Sequence, residues 1–185
     1  MVVVGIDEVG RGCWAGPLVA GAVVLGEPIS GLQDSKKLSA KQRERLDLLI
    51  HESARAIGLG WIWPATIDEI GLTEAVRQAM QSALKEIDVG YDEVIIDGNL
   101  NFLEYLPKTR ALIKADDSIP AVSAASIVAK VARDNYMTEL ALKLPEYGFE
   151  KHVGYGTASH LAALQAYGVT PHHRRSYKPV AALLQ

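Results

Sequence analysis

Continuous apolar runs dominate the pattern of hydrophobic and polar positions along the chain. Residues 2–7 and 18–25 lie on either side of a glycine-rich turn and predict two buried strands. Residues 93–97 and 111–114 predict two further strands, and a short strand is expected at 59–63. The order of these runs gives the first outline of a sheet.

Apolar residues recur with helical spacing between several of these runs. Residues 75–87 show one apolar stripe, which predicts a helix packed on the core. An earlier helix is expected to begin after Ser39 as N-cap. Its apolar stripe consists of Leu46, Leu49, Ile50, Ala54 and Ile57. Thr66 and Glu69 have the spacing of a capping box, which predicts a helix start there.

The predicted helix 120–144 differs from the others, because it is apolar or small on almost every side up to residue 132. That composition indicates deep burial, and Pro120 stands where a first-turn proline is tolerated. A narrow polar stripe nevertheless follows one side of it, consisting of Ser123, Ser126, Lys130, Arg133 and Asp134. A last short helix is expected at 158–167.

The order of elements predicts an α/β fold with a mixed β-sheet flanked by helices. A length of 185 residues fits one domain, 1–185, rather than two. The first and fourth runs end in Asp7 and Asp97. If these two strands are parallel neighbours, both carboxylates reach the same edge of the sheet, where open α/β sheets bind their ligands.

Composition narrows the class of protein. Hydrophobic residues make up 49% and charged residues 22% of the chain, which excludes a disordered tail, a collagen-like fibre and a low-complexity linker. The single cysteine, Cys13, cannot form an intramolecular disulfide and is interpreted as structural. No apolar run approaches the roughly 20 residues of a membrane helix. We expect a monomeric, cytoplasmic globular protein with no membrane contact.

Charge is unevenly distributed over a net value of −3. Residues 143–178 contain five lysines and arginines, two glutamates and four of the five histidines. A basic end on a weakly acidic protein suits a phosphate binder that also holds carboxylates for a metal. A solvated C-terminal face explains the same charge equally well.

Carboxylates from three separate segments follow apolar runs: Asp7 with Glu8, Asp97, and Asp116 or Asp117. Gathered together they would repel one another unless a cation neutralised them, and oxygen ligands favour Mg²⁺ or Mn²⁺. Such a cluster indicates two-metal phosphoryl transfer, although any one of these acids alone is typical of a turn. Neighbouring strand residues point to opposite faces, so Asp7 and Glu8 share a site only if the strand ends or distorts there.

Other polar features have both a functional and a structural interpretation. Gly10-Arg11-Gly12 could bring backbone N–H groups to an anion or simply form a turn. Lys36 and Lys37 could contact phosphate or lie solvated in a loop. Tyr155, between two glycines, could stack on a base or sugar or be structural. His172-His173-Arg174-Arg175, like Lys36 and Lys37, could contact phosphate or form a solvated surface.

Taken in order, these motifs resemble those of bacterial type 2 ribonuclease H, the ribonuclease HII family, over nearly the whole chain. The matching segments are 5–12, 15–19, 34–38, 95–98, 114–116, 120–130, 154–157, His160 and 172–176. The resemblance implies a ribonuclease H-like fold. It also implies a site that binds Mn²⁺ or Mg²⁺ through Asp7, Glu8, Asp97 and Asp116, with Asp116 chosen over Asp117 by its register with the serine motif at 123–126.

The resemblance further implies the substrate and the reaction. The substrate-binding residues would be Gly10, Arg11, Gly12, Lys36 and Tyr155. The enzyme would hydrolyse the RNA strand of RNA–DNA hybrids and cut duplex DNA 5′ of a single embedded ribonucleotide. The products would carry 3′-hydroxyl and 5′-phosphate ends, as ribonucleotide excision repair requires.

Two other classes of function are weighed against this one. A non-catalytic nucleic-acid-binding module on the same fold would be favoured by loss of an acid, but all four are present. An actin-like ATPase or sugar kinase shares a first strand of the glycine-isoleucine-aspartate type, but it needs two lobes and a longer chain. The apolar segment 180–184 is expected either to pack on the domain or to bind a partner.

Overall fold

Five strands form one mixed sheet in the computed structural model, which describes residues 1–184. They are β1 Val3–Val9, β2 Leu18–Leu25, β3 Ala54–Ile62, β4 Glu93–Asp97 and β5 Thr109–Leu112. Their spatial order is β3-β2-β1-β4-β5. The first three strands pair antiparallel, whereas β1, β4 and β5 pair parallel. The prediction of a mixed sheet is therefore confirmed.

Helices cover both faces of this sheet. The longer ones are α1 Ala40–Ser53, α2 Pro64–Ile70, α3 Leu72–Lys85, α5 Pro120–Lys143 and α7 Ala158–Tyr167. Three single-turn helices are α4 Ala115–Ser118, α6 Phe149–His152 and α8 Lys178–Ala181. Short 3₁₀ helices lie at Ser35–Lys37 and Pro145–Tyr147. No helix within residues 1–184 is long and apolar enough to cross a membrane.

Several predicted boundaries are confirmed. Strands β2 and β4 and helix α7 have the predicted limits, and Ser39 caps α1 through a reciprocal capping box with Gln42. Strand β1 extends two residues beyond Asp7, to Val9. The prediction of strand 111–114 was shifted, because Lys114 adopts a left-handed conformation, φ 58°, that ends the extended chain before α4.

Two local predictions were wrong. Ala54 and Ile57 do not continue the stripe of α1; they lie in β3, where they pair with Leu25 and Val23 of β2. Pairing with a neighbouring strand outweighed a helical spacing that was present by chance. The capping box at Thr66 is also absent, since α2 begins two residues earlier, at Pro64, whose missing N–H needs no cap.

Glycines allow the two main helices to approach the sheet closely. An added Cβ at Gly5 would lie 2.1 Å from the backbone carbonyl carbon of Ala121 in α5, and one at Gly21 would lie 2.5 Å from the carbonyl oxygen of Ala125. On the opposite face, a Cβ at Gly60 would lie 1.9 Å from the carbonyl oxygen of Ala79 in α3. Helix α5 thus rests directly on β1 and β2, and its position relative to β1 is fixed by backbone contact.

The C-terminal segment packs on the domain over part of its length. Val180 is fully buried in a cluster with Met137 of α5 and Phe149 of α6, and Leu183 packs against the same cluster. Leu184 remains 47% exposed. Of the two expectations for residues 180–184, packing is therefore the one that the structure shows.

We predict that Gly5→Ala lowers the free energy of unfolding by at least about 2 kcal/mol, because the new methyl group meets helix backbone that cannot move aside. Urea denaturation followed by circular dichroism measures this change. Gly90→Ala is the matched control, since a Cβ there meets no atom within 4 Å and Gly90 has no positive φ. Equal stabilities of the two variants would contradict this account of the helix–sheet contact.

Candidate active site

Three carboxylates meet at the carboxyl edge of the parallel strands. The register of β1 and β4 pairs Ile6 with Ile96, so the next residues, Asp7 and Asp97, end side by side. Asp116, in the first turn of α4, completes the group, and one oxygen from each carboxylate lies within 4.8 Å of the other two. The expectation that Asp7 and Asp97 share one sheet edge is confirmed.

Backbone donors orient the acids of this group. The Oδ1 of Asp97 accepts hydrogen bonds from the N–H of Ala115 at 2.8 Å and of Asp116 at 3.4 Å, which fixes the start of α4 to the end of β4. The hydroxyl of Ser123 donates to the carbonyl of Asp116 at 2.6 Å. Asp116 is consequently held between β4 and α5, with its carboxylate directed at Asp97.

Burial and the nearby negative charges make this group of carboxylates favourable for a bound cation. Burial, together with the charges of Glu8 and Asp97, raises the pKa of Asp7 to about 8, although Ser126 acts in the opposite direction. Burial and the nearby charge of Asp97 raise the pKa of Asp116 to about 6. Around neutral pH Asp7 therefore retains its proton, which a bound metal ion would displace. Closely spaced oxygen donors that are costly to ionise together fit a hard divalent cation such as Mg²⁺ or Mn²⁺.

Glu8 stands beside this group rather than within it. The strand does not distort at Glu8, which pairs with Ala20 while Asp7 pairs with Gly21. The chain changes direction only at Gly10, φ 93°. Burial raises the pKa of Glu8, and an ion pair from Arg11 Nη1 to its Oε1, 3.0 Å long, counteracts the increase. The structure thus unites three of the four predicted acids and places the fourth next to them.

The segment 34–37 faces the acidic group from the other side of an open cleft. Ser35 is buried and shares a 2.9 Å hydrogen bond with Ser126 of α5, which fixes the segment to that helix. Lys36 is exposed at its end. Partial burial lowers the pKa of Lys36, but the surrounding carboxylates, led by Asp34 and Asp7, raise it overall.

The structure also distinguishes Asp116 from Asp117. The carboxylate of Asp117 accepts a 2.6 Å hydrogen bond from Nζ of Lys37, and this contact lowers its pKa. Asp116 is the member of the three-carboxylate group. The register chosen by resemblance and the geometry therefore select the same aspartate, while Lys37 is paired with its neighbour.

The turn of Gly10-Arg11-Gly12 lies against the segment that contains Tyr155. Cys13 forms an isolated β-bridge with Tyr155, and the N–H of Trp14 donates to the carbonyl of Gly154 at 2.8 Å. The ring of Tyr155 is 40% exposed. Burial raises the pKa of Tyr155 to about 12. The phenol is thus neutral, with part of its ring open to solvent.

Glycines on both sides of Tyr155 are required by packing. Gly154 has φ 85°, and a Cβ there would lie 2.3 Å from the carbonyl oxygen of Ala15. A Cβ at Gly156 would lie 2.1 Å from the ring of Trp14. Lys130 extends over the tyrosine ring with its Nζ 5.9 Å from the centroid. These contacts restrict the position of the ring.

Two buried arginines were not recognised as structural from the sequence. Arg133 and Arg174 are fully buried, and within residues 1–184 neither has a carboxylate partner. Arg133 donates to the carbonyls of Ala15, Pro17 and Val153. The sequence signal that could have indicated the burial of Arg133 was its position in the polar stripe of an otherwise apolar helix.

The four residues of the motif at 172–175 differ in their exposure to solvent. Only Arg175 is exposed; His172 is half-buried, and His173 and Arg174 are buried. Because His173 and Arg174 are buried, they neither contact a phosphate nor form a solvated face. Both interpretations were therefore wrong for these two residues. Packing against the loops around residues 11–17 takes them out of solvent.

A chain of neutral histidines supports the Tyr155 backbone. The N–H of Thr170 donates to Nδ1 of His173, which places the proton of that ring on Nε2, 3.1 Å from Nε2 of His160. His160 then donates from Nδ1 to the carbonyl of Tyr155 at 2.9 Å. Burial lowers the pKa of both imidazoles to about 4, so the chain stays uncharged at neutral pH.

Comparisons with known proteins agree with this geometry. The family model of ribonuclease HII matches residues 4–180. The ribonuclease HII of Dichelobacter nodosus is 48% identical, over 100% of this chain and 98% of the relative. That of Halalkalibacterium halodurans is 47% identical, over 96% of this chain and 68% of the relative. The crystal structure of ribonuclease H2 from Pyrococcus horikoshii superposes with a TM-score of 0.84 at 29% identity, covering 99% and 97% of the two chains.

The superposition confirms the expected ribonuclease H-like fold. The match of the family model spans nearly all of the chain and includes the acidic group, the glycine turn and Tyr155. The chain therefore belongs to the ribonuclease HII family and is a ribonuclease H, an endonuclease that hydrolyses phosphodiester bonds.

Proposed function

We propose that this protein hydrolyses the RNA strand of RNA–DNA hybrids and cuts duplex DNA on the 5′ side of a single embedded ribonucleotide, leaving 3′-hydroxyl and 5′-phosphate ends. The observation that carries the proposal is the meeting of Asp7, Asp97 and Asp116 at one sheet edge. Removal of ribonucleotides from DNA is the process that such an activity serves. We further propose that residues 1–185 form a single catalytic domain.

In this proposal Asp7, Asp97 and Asp116 are the carboxylates that hold Mg²⁺ or Mn²⁺, with Glu8 as the fourth acid. When bound, two divalent cations lower the pKa of a water molecule and stabilise the leaving 3′ oxygen of an in-line displacement. The protein's part is to keep the acids converged against their repulsion. Asp97 achieves this through its bonds to the backbone of α4, and Asp116 through the hydroxyl of Ser123.

The binding residues of the proposal lie in the glycine turn, in the segment of Tyr155 and in the segment 34–37. Gly10, Arg11 and Gly12 offer backbone groups to a ribonucleotide, whose 2′-hydroxyl is both donor and acceptor. Tyr155, which is partly exposed, would stack on the sugar at the junction. Lys36, exposed beside the carboxylates, is placed to contact a phosphate.

The first test is cleavage of a DNA duplex that carries one ribonucleotide, with Mg²⁺ or Mn²⁺, and with EDTA as the control. We expect a single metal-dependent cut on the 5′ side of the ribonucleotide and no cut in an all-DNA duplex. Gel analysis against size markers with defined ends identifies the bond that is broken. Binding without cleavage in either metal would instead favour the non-catalytic nucleic-acid-binding module.

We predict that Asp7→Asn lowers the cleavage rate at least about 100-fold, the size of effect that follows loss of one essential electrostatic group. Binding of the duplex is expected to persist. The metal-free variant should be at least as stable as the wild type at neutral pH, because burial makes Asp7 costly to ionise and asparagine carries no charge. Asp88→Asn, at an exposed position, is the control. An active Asp7→Asn enzyme would remove Asp7 from the site.

We expect Tyr155→Ala to lower kcat/KM about tenfold on the duplex with one ribonucleotide, because base or sugar stacking on an aromatic ring contributes about 1–3 kcal/mol. Steady-state kinetics measure the loss. Tyr167→Ala removes another exposed ring, on α7, and serves as the control. An unchanged rate and substrate preference in Tyr155→Ala would count against its role in recognition.

A further inference from the structure

One peptide in the glycine turn has two available orientations. Residues 10–13 form a tight turn in which the N–H of Cys13 donates to the carbonyl of Gly10 at 3.4 Å. The central peptide of such a turn, between Arg11 and Gly12, can flip if the residue after it accepts a positive φ of about 80°. Glycine accepts either sign of φ at little cost. Gly12 has no positive φ in the structure, so one of the two orientations is selected.

Arg174 and Tyr177 hold the carbonyl of this peptide. The carbonyl oxygen of Arg11 accepts from Nη1 of Arg174 at 3.0 Å and from the hydroxyl of Tyr177 at 2.5 Å. Nη1 of Arg174 also donates to the Tyr177 hydroxyl oxygen at 2.9 Å, and the guanidinium carbon lies 5.2 Å from the centroid of the tyrosine ring. The two donors are therefore fixed relative to each other as well as to Arg11.

Arg174 cannot easily turn away from this contact. Its Nε and Nη2 both donate to the carbonyl of Gly16, at 3.2 and 3.0 Å, and its side chain is fully buried. The guanidinium is planar, so a rotation that released Arg11 would also break the bonds to Gly16. The arginine thus acts as a rigid buried fork between the two ends of the glycine-rich segment.

The outward side of the peptide follows from its planarity. The N–H of Gly12 points opposite to the carbonyl of Arg11, so an inward carbonyl directs this N–H to solvent. Gly12 is exposed, and an added Cβ would meet no atom within 4 Å. Resting on the proposed function of this turn, we propose that Arg174 and Tyr177 are positioning residues that hold the Arg11–Gly12 peptide with the N–H of Gly12 presented to the substrate.

Tyr177→Phe tests this role with a minimal change, because it removes one hydrogen bond and keeps the ring. We expect kcat/KM on a duplex with one ribonucleotide to fall about fivefold, mainly through KM, as the loss of one hydrogen bond predicts. The dissociation constant for an all-DNA duplex of the same sequence should not change. Tyr147→Phe is the matched control, since the Tyr147 hydroxyl donates to the carbonyl of Gly168 at 2.8 Å, outside this turn.

A second measurement needs no substrate. In ¹H–¹⁵N spectra of the free protein, the amide signal of Gly12 should shift or broaden in Tyr177→Phe and stay in place in Tyr147→Phe. An unmoved Gly12 signal together with wild-type kinetics would overturn the inference. If the wild type fails to cut the duplex while the Gly12 signal moves, the proposed function fails and the positioning role stands.

Discussion

The contact between helix α5 and the sheet is the constraint on which the site depends. Because Gly5 and Gly21 have no side chains, the helix backbone lies directly on β1 and β2. Four polar side chains of α5 then contact different parts of the chain. Ser123 binds the backbone of Asp116, Ser126 binds Ser35, and the two basic residues one and two turns later, Lys130 and Arg133, lie near the ring of Tyr155.

Buried charge is stabilised in different ways around the three carboxylates and around the glycine turn. Among the three carboxylates, burial and the neighbouring acids raise the pKa of Asp7 and of Asp116, an arrangement that favours a bound cation. Beside the glycine turn and the Tyr155 segment, Arg133 and Arg174 are buried. Within residues 1–184 they donate to backbone carbonyls and form no ion pair with a carboxylate. Buried guanidinium groups are tolerable only when their donors are engaged. Those same bonds fix the glycine turn and the Tyr155 segment.

Sequence patterns identified most of the sheet because most of its strands are apolar runs, and the runs of β1 and β4 lead to Asp7 and Asp97. The shared edge of Asp7 and Asp97 follows from that pattern, since parallel pairing leaves only one place for both carboxylates. The boundary of α1 could not be found in this way, because Ala54 and Ile57 fit a helical stripe and a strand equally well. Only pairing across the sheet, which is not local in sequence, decides between them.

The buried arginines and histidines escaped prediction for a related reason. Charge near a proposed phosphate site is ordinarily interpreted as a contact with the ligand, yet Arg174 donates to the carbonyl of Gly16 and His173 accepts from the N–H of Thr170, both in the protein's own backbone. Their bonds are formed in the protein alone, whereas the carboxylates need a cation to offset their repulsion. Under the proposed function the carboxylates serve hydrolysis, whereas the bonds of Arg133 and Arg174 fix the glycine turn and the tyrosine segment that would contact the nucleic acid.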